Sequence, residues 1–396
     1  MSDPRQGHVS RLRRIGASMS FLLSLCILLL ADEVTPSPVE PMLTDVVQLT
    51  FASEFHKAGE SYFSSDGSRL IYQAVPFPPE GKEPGIHYGM YVSDVVRDSD
   101  DRVTGLENTR CISPTGSANT CGWFFPGRND RVLFATTTIA PREEDAPGYQ
   151  RDSGDYRWQF PPEMNIVALD LAEADGTSRA FEPLVTDDKA YLAEGSISPD
   201  GRHLLYTSLA SGDGDLWVAD LQSGTIRALV EAAGYDGGPF FSPGGRRITY
   251  RSDRRGDDYL QVFVADLKFD ETGSIVGIDR EYQITNNEHV NWCPFWTRDG
   301  RALVYATSQV GHHNYEIFLV DADGGGAGRP VRYGTGRRRV TNAPGFDGLP
   351  AFSHDGGTMV WTSQRAGDSG SQLWCARFGI PDRTLPGQSP AGSDGH

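Results

Sequence analysis

Six phrases built on Ser-Pro-Asp-Gly, each opening a hydrophobic run, recur along the chain and dictate what it can fold into. They read SSDGSRLIYQA at 64–74, PGRNDRVLFATT at 126–137, SPDGRHLLYTS at 198–208, SPGGRRITYRS at 242–252, TRDGRALVYATS at 297–308 and SHDGGTMVWTS at 353–363. Self-similarity at roughly 45–70 residues marks a circular or stacked repeat, in which each unit buries its apolar face against the next. Function then resides on a surface built from several units.

The unit at 235–286 shows the internal order. PFFS is an apolar run, PGGR a turn, RITYRS a second run, DRRGDDY a polar loop, LQVFVADL a third run and EYQIT a fourth. The runs are short and rich in Val, Ile, Leu, Tyr and Phe, which reads as strand. Glycine in the first turn supplies the positive φ of a tight hairpin. The third run ends at Asp94, Asp170, Asp220, Asp266, Asp321 and Arg377 in successive units, and in the last four it ends 22, 24, 24 and 24 residues after the turn begins. A fourth run follows in five units, at 109–113, 181–186, 226–230, 282–285 and 338–341. The sixth unit stops at LWCARF, while VVQLTF at 46–51 precedes the first and has the character of the missing strand. Closing a ring with that N-terminal strand removes exposed sheet edges. The expectation is all-β: a six-bladed β-propeller of four-stranded antiparallel blades over 46–378.

Residues 1–31 read as a signal peptide. Arg11, Arg13 and Arg14 precede the apolar stretch Phe21–Ala31, which is short for a membrane span. Cleavage after Ala31 is expected, with an uncleaved anchor as the alternative and the only route to a membrane. Residues 32–45 then form a linker and the Pro/Gly/Ser-rich 379–396 a disordered tail. A net charge of −17 opposes nucleic acid, whose phosphates this surface would repel. Cys111, Cys121, Cys293 and Cys375 show no zinc spacing; they read as buried free thiols, with a Cys111–Cys121 bridge as the alternative.

QITNNEHVNWCPFWTRDGRALVYATSQ and RVTNAPGFDGLPAFSHDGGTMVWTSQR resemble the repeats of the TolB-type (WD40-like) β-propeller family. The resemblance covers about 46–378. It implies the propeller, and it leaves function open, because the repeat serves binding proteins, lyases and the caps of peptidases. The α/β domain that precedes the TolB propeller is not expected here, because only about 15 residues separate the expected cleavage site from the first strand. With no G-x-S-x-G elbow, the peptidase reading fails.

The meander puts every Asp-Gly turn on one face, the bottom, where these aspartates have a structural reason to recur. The irregular loops collect on the top. They include two Pro-rich insertions, 75–89 and 138–163, carrying Phe77, Tyr88, Tyr149, Tyr156, Trp158 and Phe160. Long loops in a compact domain tend to be functional or disordered, and the aromatics beside charges favour function here. Counting six residues back from the turn reaches Asp236, Asn291 and Asp347, and two positions later Glu60 and Glu194 appear in blades 1 and 3. These, with Trp292 and Trp158, are the expected binding residues around the channel mouth. Glu288, His289 and His313 are candidate ligands for a divalent cation in blade 5. The favoured reading is a monomeric periplasmic or secreted binding protein for a protein, peptide or glycan of the cell envelope, without catalysis. The alternative is a metal-dependent polysaccharide lyase or hydrolase similar to oligogalacturonate lyases.

Overall fold

The computed structural model describes residues 39–142, 148–149, 158–171, 180–322, 333–367 and 370–381, with backbone alone at 148–149 and 158–159. The expected signal peptide, half of the 138–163 insertion, the side chain of Trp158 and most of the tail lie outside them. No helix among the described residues is long and apolar enough to cross a membrane.

Six four-stranded antiparallel sheets form the six blades of a β-propeller. From the axis outward, blade 1 is Phe55–Phe63, Arg69–Pro76, Gly89–Arg97 and Val103–Cys111; blade 2 is Asn119–Phe124, Arg131–Thr136, Asn165–Asp170 and Glu182–Val185. Blade 3 is Leu192–Ile197, His203–Ser208, Asp215–Asp220 and Ile226–Val230; blade 4 is Asp236–Phe241, Arg247–Ser252, Gln261–Phe269 and Ile275–Gln283. Blade 5 is Asn291–Trp296, Ala302–Thr307, Glu316–Asp321 and Thr335–Arg339. Blade 6 is Asp347–Phe352, Thr358–Ser363 and Gln372–Phe378, completed on the outside by Leu43–Gln48. The ring closes as the sequence predicts, although the closing strand begins three residues before the expected Val46.

The repeated turn has a local physical cause. Asp66, Asp200, Asp299 and Asp355 each accept the hydroxyl of the Ser or Thr two residues earlier, at 2.8, 2.5, 2.7 and 2.5 Å, and a backbone N–H two residues later. The glycine that follows each aspartate lies at φ between 64° and 77°, where a Cβ would be strained. The aspartates that end the third strands also have structural partners: Arg69 pairs with Asp94 at 3.1 Å, Arg131 with Asp170 at 2.7 Å and Arg202 with Asp220 at 2.8 Å. Both recurrences therefore serve the scaffold.

The second and third strands of every blade pair residue for residue without a bulge. The innermost strand does not. Every blade has a register break there, between Gly59 and Ser61 in blade 1 and between Gly237 and Phe240 in blade 4, for example. The residues at the break, Glu60, Cys121, Glu194, Gly238, Cys293 and Leu349, all have φ between 40° and 60°. Only one is glycine. For the other five this left-handed conformation costs on the order of 1–2 kcal/mol each, which the surrounding sheets must offset.

Candidate functional site: a funnel closed by an aromatic plug

The six-fold bulge turns one residue per blade toward the axis. Glu60, Cys121, Glu194, Gly238, Cys293 and Leu349 line a small central well of about 30 Å3. Two residues further down each strand, Tyr62, Trp123, Phe240 and Phe295 meet across the axis with ring centroids 4.8–6.2 Å apart. Aromatic pairs at such separations add attraction beyond their burial. They plug the channel, so the top opening is a blind funnel. Its volume is about 660 Å3, and its walls carry Tyr88, Phe160, Tyr191, Trp292, Tyr315 and Phe346.

Blade 4 supplies the one basic group of the floor. At the strand position that pairs just above the bulge, the other blades have Gln73, Ala135, Thr207, Ala306 and Thr362; blade 4 has Arg251, opposite Gly237. Arg251 is 8% exposed. Its guanidinium fills the space beside the bulge glycine: a Cβ on Gly238 would stand 2.0 Å from one of its terminal nitrogens. It donates to Glu194 Oε1. The other Glu194 oxygen accepts Thr207 Oγ1 at 2.7 Å, Tyr235 OH at 2.8 Å and the Gly238 N–H at 2.7 Å. Burial alone would raise the Glu194 pKa, but Arg251 and these donors outweigh it and hold the carboxyl below its ordinary value. Glu60 is in the opposite condition. Burial raises it, with Glu194 adding to the rise. The Cys121 and Cys293 thiols are raised as well, burial being the main cause. Two carboxyls on one floor thus differ in character because only one has a guanidinium bonded to it.

Residues 163–334 match the family model of the TolB beta propeller domain. The repeats within 163–334 are TolB-type β-propeller repeats. The Tol-Pal system protein TolB of Wolinella succinogenes is 26% identical over 189 residues, 47% of this chain and 39% of that protein. The protein TolB homolog of Chlorobium luteolum is 28% identical over 181 residues, 46% of this chain and 36% of that one. The match spans under two fifths of the length of these relatives and lies within the propeller. A solved structure of putative TolB from Agrobacterium tumefaciens superposes with a TM-score of 0.50 at 17% identity, covering 82% of this chain and 91% of that one. The luciferin-regenerating enzyme gives the same TM-score at 13% identity, covering 87% and 97%. Both likenesses are of fold alone.

On this propeller the expected site residues separate into two groups. Glu60 and Glu194 meet on the funnel floor, and Trp292 and His313 line its wall. Asp236, Asn291 and Asp347 do not line the funnel; they are 0–1% exposed and serve as anchors of the loops that enter each blade. Asp236 accepts the Ala232 N–H at 3.1 Å and pairs with Arg254 at 2.9 Å. Asn291 donates to the carbonyls of His289 and Leu260. Asp347 accepts Trp361 Nε1 at 2.9 Å and pairs with Arg365. In a plain strand, residues two apart share a face; the left-handed bulge breaks that alternation, so position 236 enters the loop network while 238 faces the axis. Glu288 and His289 stay off the funnel wall, and no group of three His, Cys, Asp or Glu among the described residues could hold a metal. Cys111 and Cys121 do not bridge; Cys121 is buried, as expected, whereas Cys111 stands exposed at the end of its strand. Sequence reasoning missed Arg251, Cys121, Cys293 and the plug.

The buried anchors carry a pH dependence. Burial pushes Asp347 up to about 6 from an ordinary 3.8, although Arg365 pulls it back. Glu316, wholly buried in the next strand pair, is pushed by burial up to about 7 from 4.5, Asp347 adding to the rise against Thr341 and Arg339. The native state therefore keeps protons that the unfolded chain releases. This stabilisation is complete below about pH 4 and is lost as pH rises through about 6 and 7. At about 1.4 kcal/mol per pH unit, either rise is worth about 3 kcal/mol on its own; the two groups share a field, so their effects do not add. The urea midpoint is expected to fall between pH 5 and pH 8, with Glu316→Gln flattening the profile. A midpoint that rises with pH would contradict the assignment.

Proposed function

We propose that this chain is an exported envelope protein that docks a protein or peptide partner on its top face, as a binding module without catalysis. The observation that carries the reading is the preformed funnel, whose volume and aromatic walls suit a binding site. Its setting supports a macromolecular partner. Five of the exposed large apolar side chains, Phe51, Phe77, Ile86, Ile139 and Val310, stand on loops of the same face, at 42–65% exposure. Such residues around a concave centre are the usual makings of a protein contact. The matched relatives named for the Tol-Pal system point to an envelope partner, and the basic and apolar N-terminal stretch supports export to the periplasm or beyond.

Photo-crosslinking in cells tests the reading. A crosslinking residue at Phe77 or Ile139 should capture a discrete protein, and Trp292→Ala should abolish the adduct. The same residue at Asp200 or Asp299, on the bottom turns, should capture nothing. Equal capture from both faces, or none from the top, would refute the docking face.

A further inference from the structure

Resting on that reading, we infer that the well at the bottom of the funnel holds the α-ammonium group of a peptide N-terminus. Charge is the first reason. The floor carries two carboxyls, Glu60 and Glu194, and one guanidinium, Arg251. Glu194 and Arg251 neutralise each other. Glu60 receives Tyr62 OH at 3.2 Å and Thr120 Oγ1 at 3.5 Å, but no cation among the described residues lies within ion-pair distance of it. The nearest lysine of the blade is committed elsewhere: Lys57 Nζ sits 4.5 Å above the ring of Tyr88. Glu60 is thus the floor carboxyl without a bonded cation, and a ligand cation beside it would offset the burial and the Glu194 charge that disfavour its ionised form.

Size and polarity select the form of that ligand. The well of about 30 Å3 admits one water-sized group, which an –NH3+ is and a guanidinium or a metal with its hydration shell is not. Arg251 is more than nine-tenths buried, lines both the well and the funnel, and its Nε–H has no hydrogen-bond partner. A buried donor left unpaired costs about 1–3 kcal/mol, so an acceptor arriving beside it is favoured. A chain N-terminus presents both halves within one residue: the α-ammonium for Glu60 and the first carbonyl for Arg251. A lysine side chain brings the ammonium without the adjacent acceptor. The first side chains of the peptide would then lie against Tyr191, Trp292 and Phe346 in the funnel.

Calorimetric titration of the purified protein tests this with three probes: Ala-Phe-Ala-amide, its N-acetylated form, and N-acetyl-Ala-Lys-Ala-amide. The free N-terminus should bind roughly tenfold or more tightly than the acetylated peptide, the difference expected for one charge-assisted contact. The lysine peptide should behave like the acetylated one. Glu60→Gln, whose thermal unfolding reports whether the fold is kept, should make all three equal. Equal binding of free and acetylated peptides by the native protein, replacement of the free N-terminus by the lysine peptide, or no binding of any probe would overturn the inference. Crosslinking from Phe77 that survives while the peptides fail would leave the docking face standing and remove only the ammonium subsite. Loss of the crosslinks with retention of peptide binding would do the reverse.

Discussion

Replacing Arg251 by leucine should destabilise the propeller by about 3–5 kcal/mol, read as a shift of the urea midpoint at neutral pH. The magnitude follows from what is left behind. Glu194 is 10% exposed at its side chain and ionised, held by a guanidinium that is itself 8% exposed. Taking away the cation strands a carboxylate among Tyr235, Thr207 and the Gly238 N–H, whose hydrogen bonds solvate it only in part. The leucine must also fill the space beside Gly238 that the guanidinium occupied. The double variant Arg251→Leu with Glu194→Gln should recover most of the loss, because it removes the stranded charge along with its partner. Buried pairs replaced as a unit are often neutral, whereas broken pairs are costly. A single substitution costing less than about 1 kcal/mol would show that the pair is not a structural element of the floor.

How far the sequence reaches can be judged from the same residues. The turns were legible because each Asp-Gly carries its own local hydrogen bonds, so the sequence pattern and the geometry coincide. Ring closure was legible because one strand is missing at one end and supplied at the other. The floor was legible only in part. Counting from the turns reached Asp236, Asn291 and Asp347, whereas the axis is reached two residues later, through Glu60, Cys121, Glu194, Gly238, Cys293 and Leu349. The bulge that causes this offset is announced by glycine in blade 4 alone; the other five blades force ordinary residues into positive φ, and local propensity says nothing of it. Arg251 left a signal, as the one charge at a strand position otherwise filled by Gln, Ala or Thr. That signal becomes readable once the blades are aligned on their second strands. The plug of Tyr62, Trp123, Phe240 and Phe295 follows from the same alignment.

A chain that begins at Leu49 should lose cooperative folding at ordinary temperature, even though it keeps all the residues of the funnel. The deletion takes Leu43–Gln48 from the outer edge of blade 6, where it pairs with Gln372–Phe378, and takes Met42 and Leu43, both under 8% exposed, from the core beside Trp361 and Phe378. It also takes Glu40, whose carboxylate accepts both terminal nitrogens of Arg365 at 3.0 Å and the Asn342 N–H at 2.8 Å. Burial of the two side chains and the broken ion pair together amount to on the order of 5 kcal/mol. That is comparable with the whole stability of a typical domain, and the newly exposed edge invites pairing between molecules. The expected readouts are a broadened thermal transition and aggregation on size-exclusion chromatography. Moving residues 39–51 behind residue 381 through a short flexible linker should restore the sharp transition. The transplanted strand would then follow the third strand of its own blade, as the fourth strand does in the other five. If the truncated chain melts as sharply and as late as the full one, closure by this strand is dispensable. If truncation destabilises and transplantation rescues, the N-terminal strand is the fastening that keeps six bulged strands, and so the funnel floor, in register.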